Sequence, residues 1–373
     1  MSPSSGAVLL TGTTGFIGME LLARYLERSD RGIVALVRAG SPEGAQARID
    51  AVLENLFGAR WREHAGRVEA VPADVTAPGL GLAQTERERL ADRISTIVHS
   101  AASVSFTLPL EEARDINVAG TRRILELAEL AHARGGLECY GHVSTAYVAG
   151  THAGRFCERD LDLGQGFRNS YEQSKFEAEQ LVRETGLPSK ILRPSIVVGD
   201  RNNGWTSAFN VLYWPLRALS RGLFSVVPAV PTAPVDVVSV DYVADAIHAL
   251  CEQRGGAGET YHLIAGRNAS TISEISDRAC RYFRRPAPEV LSPAEFAARP
   301  QSFAQDSALA AGSVYFPYFS IDTVFEDEAT RARLEPEGIL ASPLSDYLER
   351  LLDFATRSRW GKRPIPRVDA FAT

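Results

Sequence analysis

The chain is poor in cysteine and has no cysteine motif. Four of its 373 residues are cysteines, and no C-x-x-C spacing or histidine pattern accompanies them: Cys139, Cys157, Cys251 and Cys280. A zinc site needs closely spaced thiolates or imidazoles, and a disulfide framework needs a regular set of cysteines. The sequence therefore indicates neither kind of site, and a reducing cytoplasm is the expected location.

The chain also lacks a positive charge excess and a long apolar run. Its net charge is −6, so we expect no surface for nucleic acid or for an anionic membrane. The longest apolar region, Val211 to Pro231, is interrupted by Arg217, Arg221 and several prolines, which argues against a membrane span. The N-terminal segment MSPSSGAVLLTG has no basic flank, unlike a signal peptide. We expect a soluble protein.

Short apolar runs alternate with longer amphipathic stretches over the first two hundred residues. This pattern is typical of strand–helix units around a parallel sheet. It predicts an α/β fold, a Rossmann-like doubly wound parallel sheet. The predicted strands are Ala7–Leu10, Ile33–Val37, Val68–Val71, Thr96–His99, Glu138–Val143, Lys190–Val198 and Glu259–Ile264. A helix is predicted over Leu110–Arg134, which two glycines follow.

Three glycines, Gly12, Gly15 and Gly18, follow the first predicted strand and precede the helical pattern FIGMELLARYL. Glycine permits a tight turn and the close approach of a pyrophosphate. The helix N-terminus offers free N–H groups and a positive dipole to that anion. Because strand, turn and helix agree, we predict that this turn binds a dinucleotide.

The residue at the position that usually determines specificity for NAD or NADP is basic. About twenty residues after the turn, where an acid would accept the ribose hydroxyls of NAD, the chain has Arg38. A guanidinium suits a 2′-phosphate by its charge and forked geometry, so NADPH is predicted. Arg48 is read either as a second charge there or as a solvated helix residue. Asp74 is read as a contact to the adenine amine or as a turn residue.

After Gly199 the alternation weakens, and glycine, asparagine and proline surround an aromatic-rich stretch. We therefore divide the chain into an NADP-binding domain, residues 1–200 with a return at 235–266, and a smaller substrate-binding lobe, residues 201–234 and 267–373. The apolar side chains just after the boundary are read as a substrate channel or as ordinary core. They are Trp205, Phe209, Leu212, Tyr213, Trp214, Leu216, Leu219 and Phe224.

Tyr171 and Lys175 lie four residues apart in SYEQSKFEAEQLV, and Tyr171 is the only one of eleven tyrosines with lysine at that offset. Residues at this spacing project from one face of a helix, so a phenol and an ammonium are held beside one carbonyl. The positive charge then favours the phenolate. Taken alone, the pair fits an exposed helix face; with the dinucleotide turn, it predicts hydride transfer.

Several motifs occur in one order: TGTTGFIG, HSAA, NVAGT, HVSTAYV, YEQSK and RPSIVVGD. Together they resemble the extended short-chain dehydrogenase/reductase superfamily. The segments SFTLPLEEARDINVAGTRRILELA and VDVVSVDYVADAI are similar to the branch of fatty acyl-CoA reductases and of the thioester-reductase domains of carboxylic acid reductases and peptide synthetases. The resemblance runs from about Val8 to Ile264.

The resemblance implies a catalytic set of Thr145, Tyr171 and Lys175, with Ser144 as the alternative hydroxyl. Asn117 is read as a support of the site or as a buried helix residue bonded to backbone. The glycine turn, Arg38 and the resemblance together predict the coenzyme contacts: Gly12, Thr14, Gly15, Phe16, Ile17, Arg38, Arg48, Asp74, Val75, Ala101, Ala102, Tyr171, Lys175, Pro194 and Ile196.

The expected function is the reduction by NADPH of an acyl thioester, carried on coenzyme A or on an acyl or peptidyl carrier protein, to an aldehyde and in some relatives onward to an alcohol. Tyr171 would donate to the developing oxyanion. The alternatives are a ketone or aldehyde reductase, a sugar-nucleotide epimerase or dehydratase, and a non-catalytic NADPH sensor or scaffold. Homodimerisation, common among such relatives, is left open because the sequence shows no exposed apolar seam.

Overall fold

A parallel sheet organises the chain. The computed structural model describes residues 6–223, 225–298 and 313–371. The strands in these ranges are β1 (Ala7–Thr11), β2 (Ile33–Val37), β3 (Val68–Pro72), β4 (Ile94–His99), β5 (Cys139–Val143), β6 (Gly154–Phe156), β7 (Ser189–Pro194), β8 (Ile196–Val198), β9 (Val226–Pro228), β10 (Pro234–Val235), β11 (Val237–Ser239), β12 (Glu259–Leu263), β13 (Ser270–Thr271), β14 (Glu289–Leu291) and β15 (Thr323–Phe325).

Helices connect these strands and cover both faces of the sheet. Those in the described ranges are α1 (Phe16–Arg28), α2 (Pro42–Phe57), α3 (Trp61–Ala65), α4 (Gln84–Ala91), α5 (Leu110–Arg114), α6 (Gly120–Ala133), α7 (Ser170–Arg183), α8 (Tyr213–Ser220), α9 (Val240–Glu252), α10 (Ile272–Phe283), α11 (Pro293–Ala298), α12 (Glu328–Leu334), α13 (Leu348–Arg357) and α14 (Arg367–Ala370).

The described residues place seven strands in the main sheet, in the order β12-β7-β5-β4-β1-β2-β3, and every neighbouring pair is parallel. Strands β2, β4 and β5 are buried throughout, as expected where helices cover both faces of a sheet. Helices α1, α2 and α9 pack on one face, and α4 and α6 on the other. The predicted fold class is confirmed.

The strand order reverses between β1 and β4. The chain adds β2 and β3 on one side of β1 and then crosses back to add β4, β5 and β7 on the other side. In open α/β sheets the crevice at such a switch point, beyond the carboxyl ends of the strands, is the usual ligand site. The glycine turn after β1 and the loops after β4, β5 and β7 all lie at this edge of the sheet.

Two predicted elements are divided in the structure, and several other predicted strand ends differ by one or two residues. The strand predicted over Lys190–Val198 is two strands, because Pro194 ends β7 in the main sheet and β8 then pairs with β11. The helix predicted over Leu110–Arg134 is interrupted by a π-helical turn, Asp115–Ala119. Proline lacks a ladder N–H, and the prediction of one continuous α-helix did not include the extra residue of a π-turn.

Outside the main sheet, α8, α10 and α13 share a second apolar core. Of the aromatic stretch named above, Tyr213 belongs to this core and Trp205 to the core of the main sheet, whereas Phe224 lies outside the described residues. Helix α14 returns to the main sheet, where Arg367 pairs with Glu20 of α1 at 2.6 Å. Within the described ranges, no helix has the length and apolar character needed to cross a bilayer.

Candidate active site

The glycine turn between β1 and α1 forms one end of the site. Gly12 has a φ of +74°, and a Cβ atom there would lie 2.8 Å from Oγ of Ser100. A Cβ atom at Gly18 would collide with the carbonyl oxygen of Gly12, so this glycine lets α1 pack against the turn. Gly15 precedes α1 and supplies no side-chain cap. The turn and the helix N-terminus therefore fit a pyrophosphate.

Two arginines lie next to this turn. Arg48 donates one hydrogen bond to the carbonyl oxygen of Arg38 and another, from Nη2 at 3.4 Å, to Oγ1 of Thr14. Both arginine residues are exposed. The guanidinium of Arg48 is thereby held beside the glycine turn, next to Arg38, the residue that follows β2.

Asp74, which follows β3, forms a turn. Its Oδ1 accepts hydrogen bonds from the backbone N and from Oγ1 of Thr76, at 2.9 and 2.8 Å. These bonds lower the pKa of Asp74. The carboxylate therefore has the turn role that the sequence left open, and contact with adenine stays a prediction. The carbonyl oxygen of neighbouring Val75 accepts from Nη1 of Arg123 at 2.7 Å.

A cleft of about 310 Å³ runs from the glycine turn to the first turn of α7. The predicted site residues that line it are Gly12, Gly15, Phe16, Ile17, Ala102, Thr145, Tyr171, Lys175, Pro194 and Ile196. The other predicted residues lie outside its lining, and they are Thr14, Arg38, Arg48, Asp74, Val75 and Ala101. The backbone N of Ala101 donates to Oγ1 of Thr11 at 3.0 Å, which fixes the loop after β4 against β1.

Helix α7 carries the tyrosine and the lysine. Its first turn is fixed by Asn169, whose side chain accepts from the backbone N of Glu172 at 3.0 Å. Because they are four residues apart, Tyr171 and Lys175 share one face of α7, and this face lines the cleft. The Nζ of Lys175 donates to the carbonyl oxygen of Val143 at 2.8 Å, at the carboxyl end of β5.

Burial shifts the pKa values of both groups. It raises the pKa of Tyr171 to about 12, opposed by a hydrogen bond with Thr145 and reinforced by the charge of Glu172. It lowers the pKa of Lys175 to about 8, opposed by the charge of Glu179. The effect of the lysine charge on the phenol stays a prediction, and in the structure the ammonium of Lys175 is directed at a backbone carbonyl.

The two hydroxyls after β5 point to different partners. Ser144 donates from Oγ to Oε2 of Glu179 at 2.7 Å, and the buried Glu179 also accepts from Nη2 of Arg193 at 2.6 Å. Oγ1 of Thr145 donates to the carbonyl oxygen of Pro194 at 3.4 Å and accepts from the backbone N of Tyr147 at 3.2 Å. Thr145 lines the cleft together with Tyr171 and lowers the pKa of its phenol, whereas Ser144 belongs to a buried ion-pair network.

Asn117 connects the π-helical turn to the loop that follows β4. Its Oδ1 accepts from the backbone N of Ser103 at 2.8 Å, and its Nδ2 donates to the carbonyl oxygen of Ser103 and to Oγ of Ser174. The residue is buried. Its amide thus joins the loop after β4, which lines the cleft, to α7. Asn117 is therefore both a support of the cleft and a buried helix residue bonded to backbone.

Three residues that the sequence analysis did not select complete the site. The ring of Phe106 stacks between those of Tyr171 and Tyr318, at centroid distances of 5.8 and 5.2 Å. The hydroxyl of Tyr318 donates to Oε1 of the buried Glu172 at 2.6 Å. Tyr318 lies 147 positions after Tyr171, so only the folded chain brings it there. Glu172 adjoins Tyr171 in sequence, but its need for a partner comes from its burial, which only the folded chain shows.

The switch-point crevice, the glycine cradle and the adjacent Tyr–Lys pair define a dinucleotide-binding oxidoreductase of the short-chain dehydrogenase/reductase class. A nicotinamide dinucleotide is the coenzyme of this class. The family model described as "Male sterility protein" matches residues 10–247. The chain therefore belongs to that family, in the thioester-reductase branch of the extended superfamily.

Curated relatives and solved structures agree with this assignment. The chain is 32% identical over 279 residues to the nonribosomal peptide synthetase asaC of Aspergillus flavus, covering 70% of this chain and 26% of that protein. It is 31% identical over 288 residues to a carboxylic acid reductase of Mycobacterium tuberculosis, covering 69% and 24%. The chain thus spans about a quarter of the length of these two relatives.

The fold is also similar to that of the terminal R domain from the myxalamid PKS-NRPS biosynthetic pathway. The TM-score is 0.82 at 29% identity, and the similarity covers 98% of this chain and 94% of that one. The similarity thus extends beyond the main sheet into the C-terminal part.

Proposed function

We propose that this chain is an NADPH-dependent reductase that converts an acyl thioester, carried on coenzyme A or on a carrier protein, to an aldehyde. The observation that carries the proposal is that Thr145, Tyr171 and Lys175 line one cleft, which begins at the glycine turn. Relatives described as a peptide synthetase and a carboxylic acid reductase support the thioester as substrate.

The coenzyme, when bound, supplies a hydride to the thioester carbonyl. Gly12, Gly15 and the N-terminus of α1 would hold its pyrophosphate, because backbone N–H groups and the helix dipole favour an anion there. Arg38 and Arg48 would bind the 2′-phosphate, since Arg38 follows β2, the Arg48 side chain bonds the carbonyl oxygen of Arg38, and a guanidinium matches phosphate geometry. Lys175 would bond the nicotinamide ribose.

Tyr171 acts as the proton donor in this proposal. With a pKa of about 12 its hydroxyl carries a proton at neutral pH, so it stabilises negative charge developing on the carbonyl oxygen. Thr145 holds that oxygen in register. Collapse of the tetrahedral adduct then breaks the carbon–sulfur bond and releases the thiol and the aldehyde. The aldehyde presents the same carbonyl geometry, so a second turnover with NADPH would give the alcohol.

We also propose which parts of the chain bind the coenzyme and which bind the substrate. Residues 1–200 and 235–266 would bind NADPH, and residues 201–234 and 267–373 would bind the acyl group. Tyr318 supports this division, because it belongs to the second set of residues and yet lines the cleft that contains Tyr171.

The experiment is NADPH oxidation followed at 25 °C with three substrates in parallel: hexanoyl-coenzyme A, hexanal and a UDP-sugar. Oxidation with the thioester and appearance of aldehyde or alcohol are expected. Oxidation with hexanal alone would favour a simple carbonyl reductase, and activity with the UDP-sugar alone would contradict the proposal.

Two matched variants assign the proton donor. Tyr171→Phe should abolish turnover and leave the Kd for NADPH within about twofold, since the phenyl ring preserves the packing against Phe106. Tyr282→Phe, on the exposed side of α10 where the hydroxyl contacts Asp353, should keep the parent rate. Equal rates for the two variants would remove Tyr171 from the mechanism.

A further inference from the structure

A second cavity, of about 80 Å³, lies beside the catalytic cleft. The two share four lining residues: Tyr147, Ile196, Val211 and Tyr318. The rest of the second cavity is formed by α8, α10, β9, β10, β14 and the segment 313–320. We call it the lobe pocket. Because the two cavities share four lining residues, the lobe pocket adjoins the cleft that contains Tyr171.

The lining of the lobe pocket is almost wholly apolar. Its residues in the described part of the chain include no acid, lysine, arginine or histidine. The hydroxyl of Tyr318 is already engaged with Glu172 and Asn169, at 2.6 and 2.7 Å. An ionised group placed here would lose its hydration without gaining an ion pair, which is strongly unfavourable.

The size of the lobe pocket limits its occupant. A volume of about 80 Å³ is roughly half that of an apolar cavity that holds benzene, about 150 Å³. The pocket therefore accommodates about three carbon atoms. At its rim Val290 is 36% exposed, so a longer chain would emerge into solvent there and gain little further burial.

We propose that the lobe pocket binds the apolar end of the acyl group and makes the enzyme selective for uncharged aliphatic acyl thioesters. This inference rests on the function proposed above and specifies its substrate class. The four shared residues place the acyl end at the pocket when the thioester carbonyl is at Tyr171, and the uncharged lining rejects acyl groups that end in a carboxylate or an ammonium.

The first test is a series of coenzyme A thioesters from acetyl to octanoyl, compared by kcat/KM. Each methylene that enters the pocket should raise kcat/KM about fourfold, the effect expected for burying one CH₂. About three successive methylenes should do so, for a total of about sixtyfold, after which the values level off. A flat series would overturn the proposal.

Charge is tested with a pair of equal shape. Glutaryl-coenzyme A ends in a carboxylate, and 5-methylhexanoyl-coenzyme A ends in an isopropyl group of the same outline. We expect kcat/KM to be more than tenfold lower for the glutaryl thioester. Equal values would show that the acyl end does not enter an uncharged pocket, and would overturn the proposal.

Two valine variants locate the effect in the structure. Val290 and Val324 are both exposed and both occupy the middle of a three-residue strand, β14 and β15 respectively, but only Val290 lines the lobe pocket. Val290→Phe should flatten the chain-length series, because the larger ring fills the pocket. Val324→Phe should reproduce the parent series. A parent-like series in a folded Val290→Phe variant would contradict the assignment.

Binding separates this inference from the proposed function. S-ethyl to S-hexyl thioethers of pantetheine cannot be reduced, and their Kd is measurable by calorimetry in the presence of NADP⁺. If affinity rises with length but no thioester is turned over, the pocket assignment stands and the reductase proposal fails. If thioesters are turned over without any dependence on length, the reductase proposal stands and the pocket assignment fails.

Discussion

Lys175 is the residue of the site whose charge changes nearest to neutral pH. Burial lowers the pKa of its ammonium to about 8, although Glu179, one helical turn later, opposes the shift. The charged form therefore dominates below this pH and the neutral amine above it. Because the cation is proposed to bind the coenzyme, kcat/KM for NADPH should fall as the pH rises through about 8.

A Lys175→Arg variant provides the comparison. Arginine keeps its charge over the whole range, so its pH profile should lack this limb even if its absolute rate is lower. Deprotonation of Tyr171 would appear only near pH 12, well separated from the lysine limb. A limb with an unchanged midpoint in Lys175→Arg would assign it to another group.

Arg38 should set the preference for NADPH over NADH. Arg38 follows β2, and its carbonyl oxygen accepts from Arg48, the residue that also bonds Thr14. A hydrogen bond to a charged group contributes about 1.5–3 kcal/mol, so Arg38→Asp should lower the NADPH/NADH ratio of kcat/KM by roughly 10- to 100-fold or more. Both constants are measured with the same thioester.

Arg134→Asp is the control for a general change in charge. Arg134 follows α6 at the opposite edge of the sheet, where it donates to Asp92 at 2.7 Å. This variant should keep the parent ratio. An unchanged ratio in Arg38→Asp would refute the assignment of the 2′-phosphate site.

At the scale of elements, the first turn of α7 is joined to the segment 313–320 through one hydroxyl. Tyr318 donates to the buried Glu172 and accepts from Asn169, the N-cap of α7. Tyr318→Phe leaves a buried carboxylate oxygen without this donor, at a cost of about 1–3 kcal/mol. We expect a lower free energy of unfolding and about a tenfold lower kcat, with the Kd for NADPH unchanged.

Tyr315→Phe is the matched control, because Tyr315 lies in the same segment and its ring also contacts Phe106. Its kcat should stay within about twofold of the parent. If Tyr318→Phe also kept the parent kcat, the contact would be structural only and would not position Tyr171.

The sequence predicted some elements better than others for physical reasons. The strand Ile33–Val37 was predicted with its observed ends, because a strand covered on both faces is a continuous apolar run. The interruption of the helix at Asp115–Ala119 has no such signature, and it contains Asn117, whose side chain bonds the backbone of Ser103 in the loop after β4. Hydrogen bonds between distant segments leave no periodic trace.

At the scale of the whole molecule, the same distinction applies to the site. The glycine turn and the Tyr–Lys pair are local patterns, and both line one cleft. The choice between Ser144 and Thr145 was open because it depends on Glu179, which lies on a different element from the hydroxyls. Tyr318 was missed because its role arises only when the C-terminal part folds over α7.

Glu158 joins the C-terminal part to the main sheet and should contribute to the stability of the whole chain. This buried carboxylate accepts from the backbone N of Ala329 at 2.6 Å and of Thr330 at 2.9 Å, in the first turn of α12, and from the backbone N of His262 in β12. Glu158→Gln would direct an amide N–H at one of these donors and remove a charge that the helix dipole favours. The free energy of unfolding should fall by about 1–3 kcal/mol, seen as a lower urea midpoint with an unchanged slope. Glu129→Gln, at an exposed position of α6, should leave the midpoint in place, and equal midpoints for the two variants would show that this carboxylate does not hold the two parts together.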